Sequence, residues 1–494
     1  MIEADRHIKG AFPTACANTR GPAGDDAGKA GPRHPSTVQS LLVFGSVLVV
    51  LIVGLRLGAG MHLPLFLALA VSCIGTRLLG NPWERIQAAL FKGVVDGLPA
   101  ASILLLIGML VGLWIAGGTI PTLLSCGLSW LTPRFLVPTS CLLSCVASVA
   151  TGTSFGTIST VGLALMGVGE AMGVPGPLLA GAIVSGAYFG DKMSPLSDTT
   201  NVAPAVSGSN IYEHIAAMAY TTLPALAISL AGFFFLGTGY SAHAAPVPTG
   251  APRSALLGAF NTGFLTLVPI VFLAVFSIKK VPPVPALAGV LAISFATAIF
   301  TQRSSPSSLA RAMVAGYVSK SGDPVVDKLL TRGGMNSMLP TVFLILMATG
   351  MGGVLRDFGV IERLVQAVLL AVRSSRGLIL SVAASCYLTL LATGNQMLAL
   401  ILPGQAFREA FARRGVPAKI LSRTLEDFGT LGAPLVPWST AALFINDMLR
   451  IPAVQYAPYA LLNWTSPLVA TIYTLTGTFT GESSFPRRPN RNGN

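Results

Sequence analysis

Gly190-Asp191-Lys192-Met193-Ser194-Pro195-Leu196-Ser197-Asp198-Thr199-Thr200-Asn201 decides how this chain folds. The stretch sits inside apolar sequence, 177–204, yet holds two carboxylates and an ammonium. Ionisable groups at membrane depth are costly and mark function by default. Pro195 removes a helical hydrogen bond and disfavours helix at Ser194. The helix therefore breaks, backbone carbonyls come free, and hydroxyls and an amide cluster around them. Unwound carbonyls, hydroxyls and a carboxylate are what a small hard cation needs once its water is stripped. The competing reading is a short polar loop at the membrane surface. Apolar sequence resumes on both sides and the break recurs later in the chain, which favours a broken helix.

Composition extends this reading to the whole chain. Of 494 residues, 52% are hydrophobic and only 10% charged, against about 25% charged in soluble domains. Mean hydropathy is +0.69. Most soluble enzyme classes are excluded. The expectation is an all-α polytopic membrane protein of about ten transmembrane helices. A net charge of +13 would suggest nucleic acid in a soluble protein. Here the basic residues fall between apolar runs and orient the chain, so the expected surroundings are a lipid bilayer and no nucleic acid. Cys73, Cys126, Cys141, Cys145 and Cys386 lie in or beside apolar segments as small packing residues. Cys141 and Cys145 are one helical turn apart, without the added His or acidic cluster of a metal site. No cofactor is expected.

Along the chain, 1–36 reads as a disordered tail and shows no signal-peptide pattern. Residues 37–236 form a first repeat, 237–260 a Pro- and Gly-rich linker, 261–476 a second repeat and 477–494 a basic tail. Within the first repeat, 83–96 reads as a separate amphipathic interfacial helix, with Trp83, Ile86, Leu90 and Val94 on one side. The repeats match in order and at one constant offset. Ala150-Thr151-Gly152-Thr153-Ser154 aligns with Ala392-Thr393-Gly394-Asn395-Gln396, Gly173-Val174-Pro175 with Gly415-Val416-Pro417, and Pro195 and Ser197 with Pro437 and Ser439. Such a duplication is typical of secondary transporters.

If 134–170 and 376–411 are re-entrant hairpins, each half has an odd number of crossings, and the second half must be inverted. Charge supports inversion. Segments 115–133 and 171–176 have no Lys or Arg, whereas their counterparts carry Arg356, Arg363, Arg373, Arg376, Arg413, Arg414 and Lys419. The basic set belongs in the cytoplasm, which puts both termini there as well. The loop 303–332, with Arg303, Arg311, Lys320, Lys328 and Arg332, runs against this pattern.

Asp191 and Asp198 are the expected cation- and proton-binding carboxylates. Lys192 stands beside them, and Ser194, Ser197, Thr199, Thr200 and Asn201 supply neutral oxygens. In the second half, Gly432-Ala433-Pro434-Leu435-Val436-Pro437-Trp438-Ser439-Thr440 keeps the break without charge. Ser439 and Thr440 are its candidate ligands. Glu426 and Asp427 precede it, and either complete the site or cap the start of the helix. The hairpin tips contribute Thr151, Thr153 and Ser154 in one half and Thr393 and Asn395 in the other. The bland alternative there is small-residue helix packing. Gly152-Thr153-Ser154-Phe155-Gly156 also spells G-x-S-x-G, the serine-hydrolase elbow. That motif needs a preceding strand and a His base, and His7, His34, His62, His214 and His243 all read as tail or loop residues.

Three stretches together, GAYFGDKMSPLSDTTNVAPAVSG at 186–208, TGTSFGTISTVGLALMGVG at 151–169 and ATGNQMLALILPGQAF with LSRTLEDFGTLGAPLVPWST, resemble the NhaC-type Na+/H+ antiporters of the ion transporter superfamily. The resemblance covers roughly 40–475. It implies re-entrant hairpins, broken helices and export of Na+ (or Li+) in exchange for protons across the cell inner membrane. Some relatives exchange organic acids of the malate and lactate type with sodium and protons, which is the alternative function. An intramembrane hydrolase is the remote one, and a homodimer is left open. Phe428 stands where the family usually has a small polar residue, and Ser439 where it has Asn.

Overall fold

Ser36 caps the first helix. Its hydroxyl accepts from the Gln39 amide, and the Gln39 side chain accepts from the Ser36 amide. From there the chain is helical nearly throughout. The computed structural model describes residues 35–479 apart from 131, 242–249, 280 and 373. The tail reading of 1–36 falls almost wholly outside these residues, as does most of 477–494.

Among the described residues, seven helices are long and apolar enough to cross a membrane, or nine if each of two bent helix pairs counts as one span. The first is Thr37–Arg56, followed by the shorter apolar helix His62–Leu78. Next comes Trp83–Ala116, one helix of 34 residues. The separate interfacial helix expected over 83–96 is therefore corrected: it is the first half of a span. Its buried positions Ile86, Ala89, Gly93, Gly97, Ala101 and Leu104 recur every three or four residues. They pack on the helix Leu339–Asp357, where a Cβ on Gly93 would lie 2.4 Å from the Thr349 carbonyl oxygen. A stripe of small residues lets two helices approach closely in a bilayer, whereas the amphipathic reading rested on Trp83, Ile86, Leu90 and Val94, of which only Ile86 is among these buried positions.

Each half contains a helical hairpin followed by a broken span. The first hairpin is Pro133–Thr151 and a return through Ser154–Thr157, Ile158–Gly162 and Leu163–Ala171. The first broken span is Gly176–Met193 and Asp198–Ser207. Their counterparts are Ser375–Thr393 with Gln396–Arg413, and Ala418–Leu435 with Thr440–Leu449, bent by 48°. The helices Ile211–Ser241 and Leu461–Thr476 pack together and against these elements. The segment read as a linker contributes the helix Gly250–Ala259. The loop after Pro306–Ala315 turns inward, so that the Gly334 amide donates to the Gly108 carbonyl at 2.7 Å.

Candidate functional site

Gly152 ends the first helix of its hairpin at φ 69°, and Gly394 does the same at φ 61°. Side-chain-bearing residues pay about 1–2 kcal/mol to adopt this left-handed conformation. A Cβ on Gly152 would lie 2.7 Å from Leu196 Cβ, and one on Gly394 would lie 2.9 Å from the Trp438 carbonyl oxygen. Both neighbours belong to helix breaks. Each hairpin tip is thus seated on the break of the span that follows it. The Ser194 hydroxyl donates to the Val149 carbonyl at 2.8 Å, and the Thr440 amide to the Gly394 carbonyl at 2.9 Å. Gly152→Ala and Gly394→Ala are each expected to lower stability by about 1–3 kcal/mol, read as a lower thermal midpoint in detergent. Unchanged midpoints would mean the tips do not seat as described.

This seating delivers Ser154 to Asp191. The Ser154 hydroxyl donates to Asp191 Oδ2 at 2.7 Å and the Ser197 hydroxyl to Oδ1 at 2.6 Å. Thr199 Oγ1 lies 3.1 Å from Ser197 Oγ. The carboxylate is 6% exposed and sits in the last turn of Gly176–Met193. Its oxygens are held from two sides, by the hairpin and by the break.

Lys192 points elsewhere. It is fully buried and forms an ion pair with Asp427 of the second broken span. Asp427 Oδ1 also accepts from Ser466 Oγ at 2.9 Å and from Thr221 Oγ1 at 3.0 Å. Arg423, one turn before Asp427, brings its Nε to 3.8 Å from Oδ2 and donates through its terminal nitrogen to the Phe479 carbonyl at 3.1 Å. Glu426, beside Asp427 on the wide helical turn Glu426–Thr430, is fully buried, and neither carboxylate oxygen has a hydrogen-bond partner. Wide turns of this kind concentrate at functional sites.

The other candidates separate into groups. Thr200 donates to the Asp191 and Lys192 carbonyls at 3.0 and 2.9 Å, so these two carbonyls at the break are already taken. The Asn201 amide donates to the Pro195 and Ser197 carbonyls. Asp198 is exposed, in the first turn of Asp198–Ser207, where the helix dipole favours a carboxylate; it does not join the buried cluster. Thr153 and Asn395 cap the returning hairpin helices. Thr151 and Thr393 donate back along their own helices. Ser439 donates to the Ala433 carbonyl and caps Thr440–Leu449, and the Thr440 hydroxyl reaches Gly394 at 3.4 Å.

The G-x-S-x-G segment follows a helix, and its serine donates to Asp191, not to an imidazole. The placement of all histidines in tails or loops is corrected. His62 starts a helix, and His214 is fully buried in the first turn of Ile211–Ser241, with Nδ1 2.9 Å from Ser422 Oγ. That helix begins early because the Asn210 side chain accepts from the Tyr212 amide at 2.8 Å. His7, His34 and His243 lie outside the described residues.

Residues 186–478 match the sequence model of the Na+/H+ antiporter family. The chain is also 36% identical over 415 residues to the Na+/H+ antiporter NhaC of Bacillus subtilis strain 168, covering 83% of this chain and 91% of the relative. It belongs to the Na+/H+ antiporter family. The Na+/H+ antiporter NhaC of Alkalihalophilus pseudofirmus is 33% identical over 445 residues, 90% of this chain and 96% of the relative. A malate-2H+/Na+-lactate antiporter of Bacillus subtilis is 33% identical over 454 residues, again 90% and 96%. Family membership and the apolar helices together make this a multi-pass membrane protein. Sequence reading of this antiporter-family chain missed Thr221, Ser466 and Arg423. The hydroxyls carry no signal, since helix-packing serines and threonines look the same. Arg423 had one: a cation one helical turn before a carboxylate in an apolar span.

Proposed function

We propose that this protein is a secondary transporter that exchanges internal Na+ for external protons across the cell inner membrane, with Asp191 as the carboxylate that holds the cation. The observation that carries this reading is the Asp191 carboxylate itself, buried where the hairpin tip meets the helix break and gripped by Ser154 and Ser197. A carboxylate with hydroxyl oxygens around it suits a hard monovalent cation. Ser197 and Thr199 extend the oxygen set, while Lys192 keeps Asp427 neutralised. The names of the relatives support the same chemistry. The malate and lactate exchanger among them supports the organic-acid alternative.

The deciding experiment is transport in proteoliposomes with an imposed pH gradient. Addition of Na+ should dissipate the gradient without any organic anion present. A response that requires malate or lactate would establish the alternative, and no response to either would refute both.

The two halves are proposed to lie in opposite orientations, with both termini cytoplasmic. Thr132 and Ser374 occupy equivalent positions, each just before the first hairpin helix and each exposed. In a Cys-free background, Thr132→Cys and Ser374→Cys should be labelled by an impermeant maleimide from opposite faces of the membrane. Labelling of both from one face would end the inverted arrangement.

A further inference from the structure

Three buried acids and two buried bases meet at the two broken spans, and a fourth buried acid, Asp447, lies farther along the second span beside Arg450. Asp191, Glu426 and Asp427 are the three acids that meet, and Lys192 and Arg423 the bases. Asp427 is matched by Lys192 and approached by Arg423. Asp191 receives two hydroxyl donors. Of these three acids, Glu426 has no hydrogen-bond partner on either oxygen, and the Thr430 hydroxyl on the same turn has none either. The polar groups acting on Glu426 are Thr430, Thr199, Lys192 and Asp191. Cys386 and Tyr387 of the packed hairpin helix are the other titratable neighbours of this acidic pair, and Asp198 stays outside at the surface.

With every member ionised, this cluster carries one negative charge too many for a dry site. One positive charge, either a proton or Na+, balances it. We propose that Glu426 carries the transported proton while Asp191 binds the sodium ion, so that the two ions occupy neighbouring carboxylates with Ser197 and Thr199 beside them. This rests on the exchange reading above but replaces competition at one carboxylate with coupling between two. When Na+ settles on Asp191, the added charge favours breaking the Glu426 O–H bond, and the proton leaves to water on the open side. When Na+ departs, two neighbouring buried carboxylates cannot both stay ionised without a further counter-charge, and Glu426 takes a proton up. The hydroxyl of Thr199 lies 3.1 Å from Ser197 Oγ, and Thr199 is also a polar neighbour of Glu426.

The test compares Glu426→Gln and Glu426→Asp with wild type in proteoliposomes, following radioactive Na+ uptake and proton release at several pH values. Wild type should show an apparent KM for Na+ that rises by up to about tenfold per unit fall in pH. Absence of any Na+-dependent proton movement in wild type would overturn the exchange reading itself, and this proposal with it. Glu426→Gln, fixed in the neutral state, should still take up Na+, with a high KM that no longer changes with pH, and should release no protons. Glu426→Asp should restore proton release with a displaced pH profile. Two results overturn the proposal: wild-type pH dependence retained in Glu426→Gln, or complete loss of Na+ uptake in a correctly inserted Glu426→Gln protein, which would make Glu426 a sodium ligand. If Glu426→Gln does not insert, an unchanged pH profile in Glu426→Asp overturns it equally.

Discussion

Asp191→Asn abolishes Na+-dependent proton movement in proteoliposomes, with a loss of about 100-fold or more relative to wild type. The magnitude follows from what the carboxylate does for a stripped cation. Leaving one partner of a buried charge pair without its counter-charge costs about 3–5 kcal/mol, and each 1.4 kcal/mol is about a factor of ten in affinity. Asparagine preserves the volume and accepts from one serine, so insertion and packing should survive. The amide nitrogen, however, faces either Ser154 or Ser197, both of which donate to the native carboxylate, and one of those hydroxyls must turn away. Asp198→Asn provides the contrast. Asp198 is exposed at a helix N-terminus, and an exposed carboxylate there contributes only about 0.3–1 kcal/mol, so its loss should cost less than about tenfold. Equal loss in the two variants would restore Asp198 to the centre of the site. Full activity in Asp191→Asn would remove Asp191 from it and leave Glu426 and Asp427 as the cation-binding carboxylates.

The contrast between these neighbouring aspartates shows where sequence reasoning reaches and where it stops. Pro195 and Pro437 marked the breaks and Gly152 and Gly394 the turns, because proline withholds a helical donor and glycine tolerates positive φ. Polar neighbours distinguished these two prolines from prolines that sit inside helices, such as Pro99 and Pro224. The apolar background placed these features in a membrane, and the repeated pattern tied the two halves together. Which side chains converge is a different kind of information. Asp191 and Asp198 both looked like ligands, but the helix breaks at Pro195, and beyond it Ser197 is buried against Asp191 while Asp198 is exposed. Lys192 looked like a neighbour of Asp191 and is in fact the partner of Asp427, a residue from the other half of the sequence. Thr200 and Asn201 looked like cation ligands, and in the fold their side chains donate to carbonyls at Pro195 and on either side of it. Backbone groups buried in a membrane must find partners, so polar residues beside a break are drawn to that duty first. The interfacial helix expected over 83–96 failed for a related reason. The buried face runs instead through Ala89, Gly93 and Gly97, small residues that give no apolar signal in sequence yet let another helix approach closely.

The pair formed by Lys192 and Asp427 yields the second large effect, and Arg423 gives it a direction. Asp427→Asn leaves two buried cations, Lys192 and Arg423, without the carboxylate that both approach. Lys192→Met leaves Asp427 with Arg423 at 3.8 Å and with the donors Thr221 and Ser466 at 3.0 and 2.9 Å. The loss of stability should therefore be unequal: about 3–5 kcal/mol for Asp427→Asn, and clearly less for Lys192→Met. The double variant Lys192→Met/Asp427→Asn removes one cation together with the anion. It should be more stable than the sum of the single losses predicts, with a coupling of about 1–3 kcal/mol. Thermal unfolding of the purified protein in detergent, with all three variants and wild type measured in parallel, reads these differences directly. Equal losses in the two single variants would mean that Arg423 contributes nothing as a second counter-charge. Additive losses would mean that the ion pair is not a unit. A larger loss for Lys192→Met would point instead to Lys192 as the shared counter-charge of Asp427 and Glu426. The asymmetry matters beyond stability because Lys192 and Asp427 bolt one broken span to the other directly beside Asp191 and Glu426. A variant that loosens this bolt should also weaken the link between sodium binding and proton release, even where each ion still finds its own carboxylate.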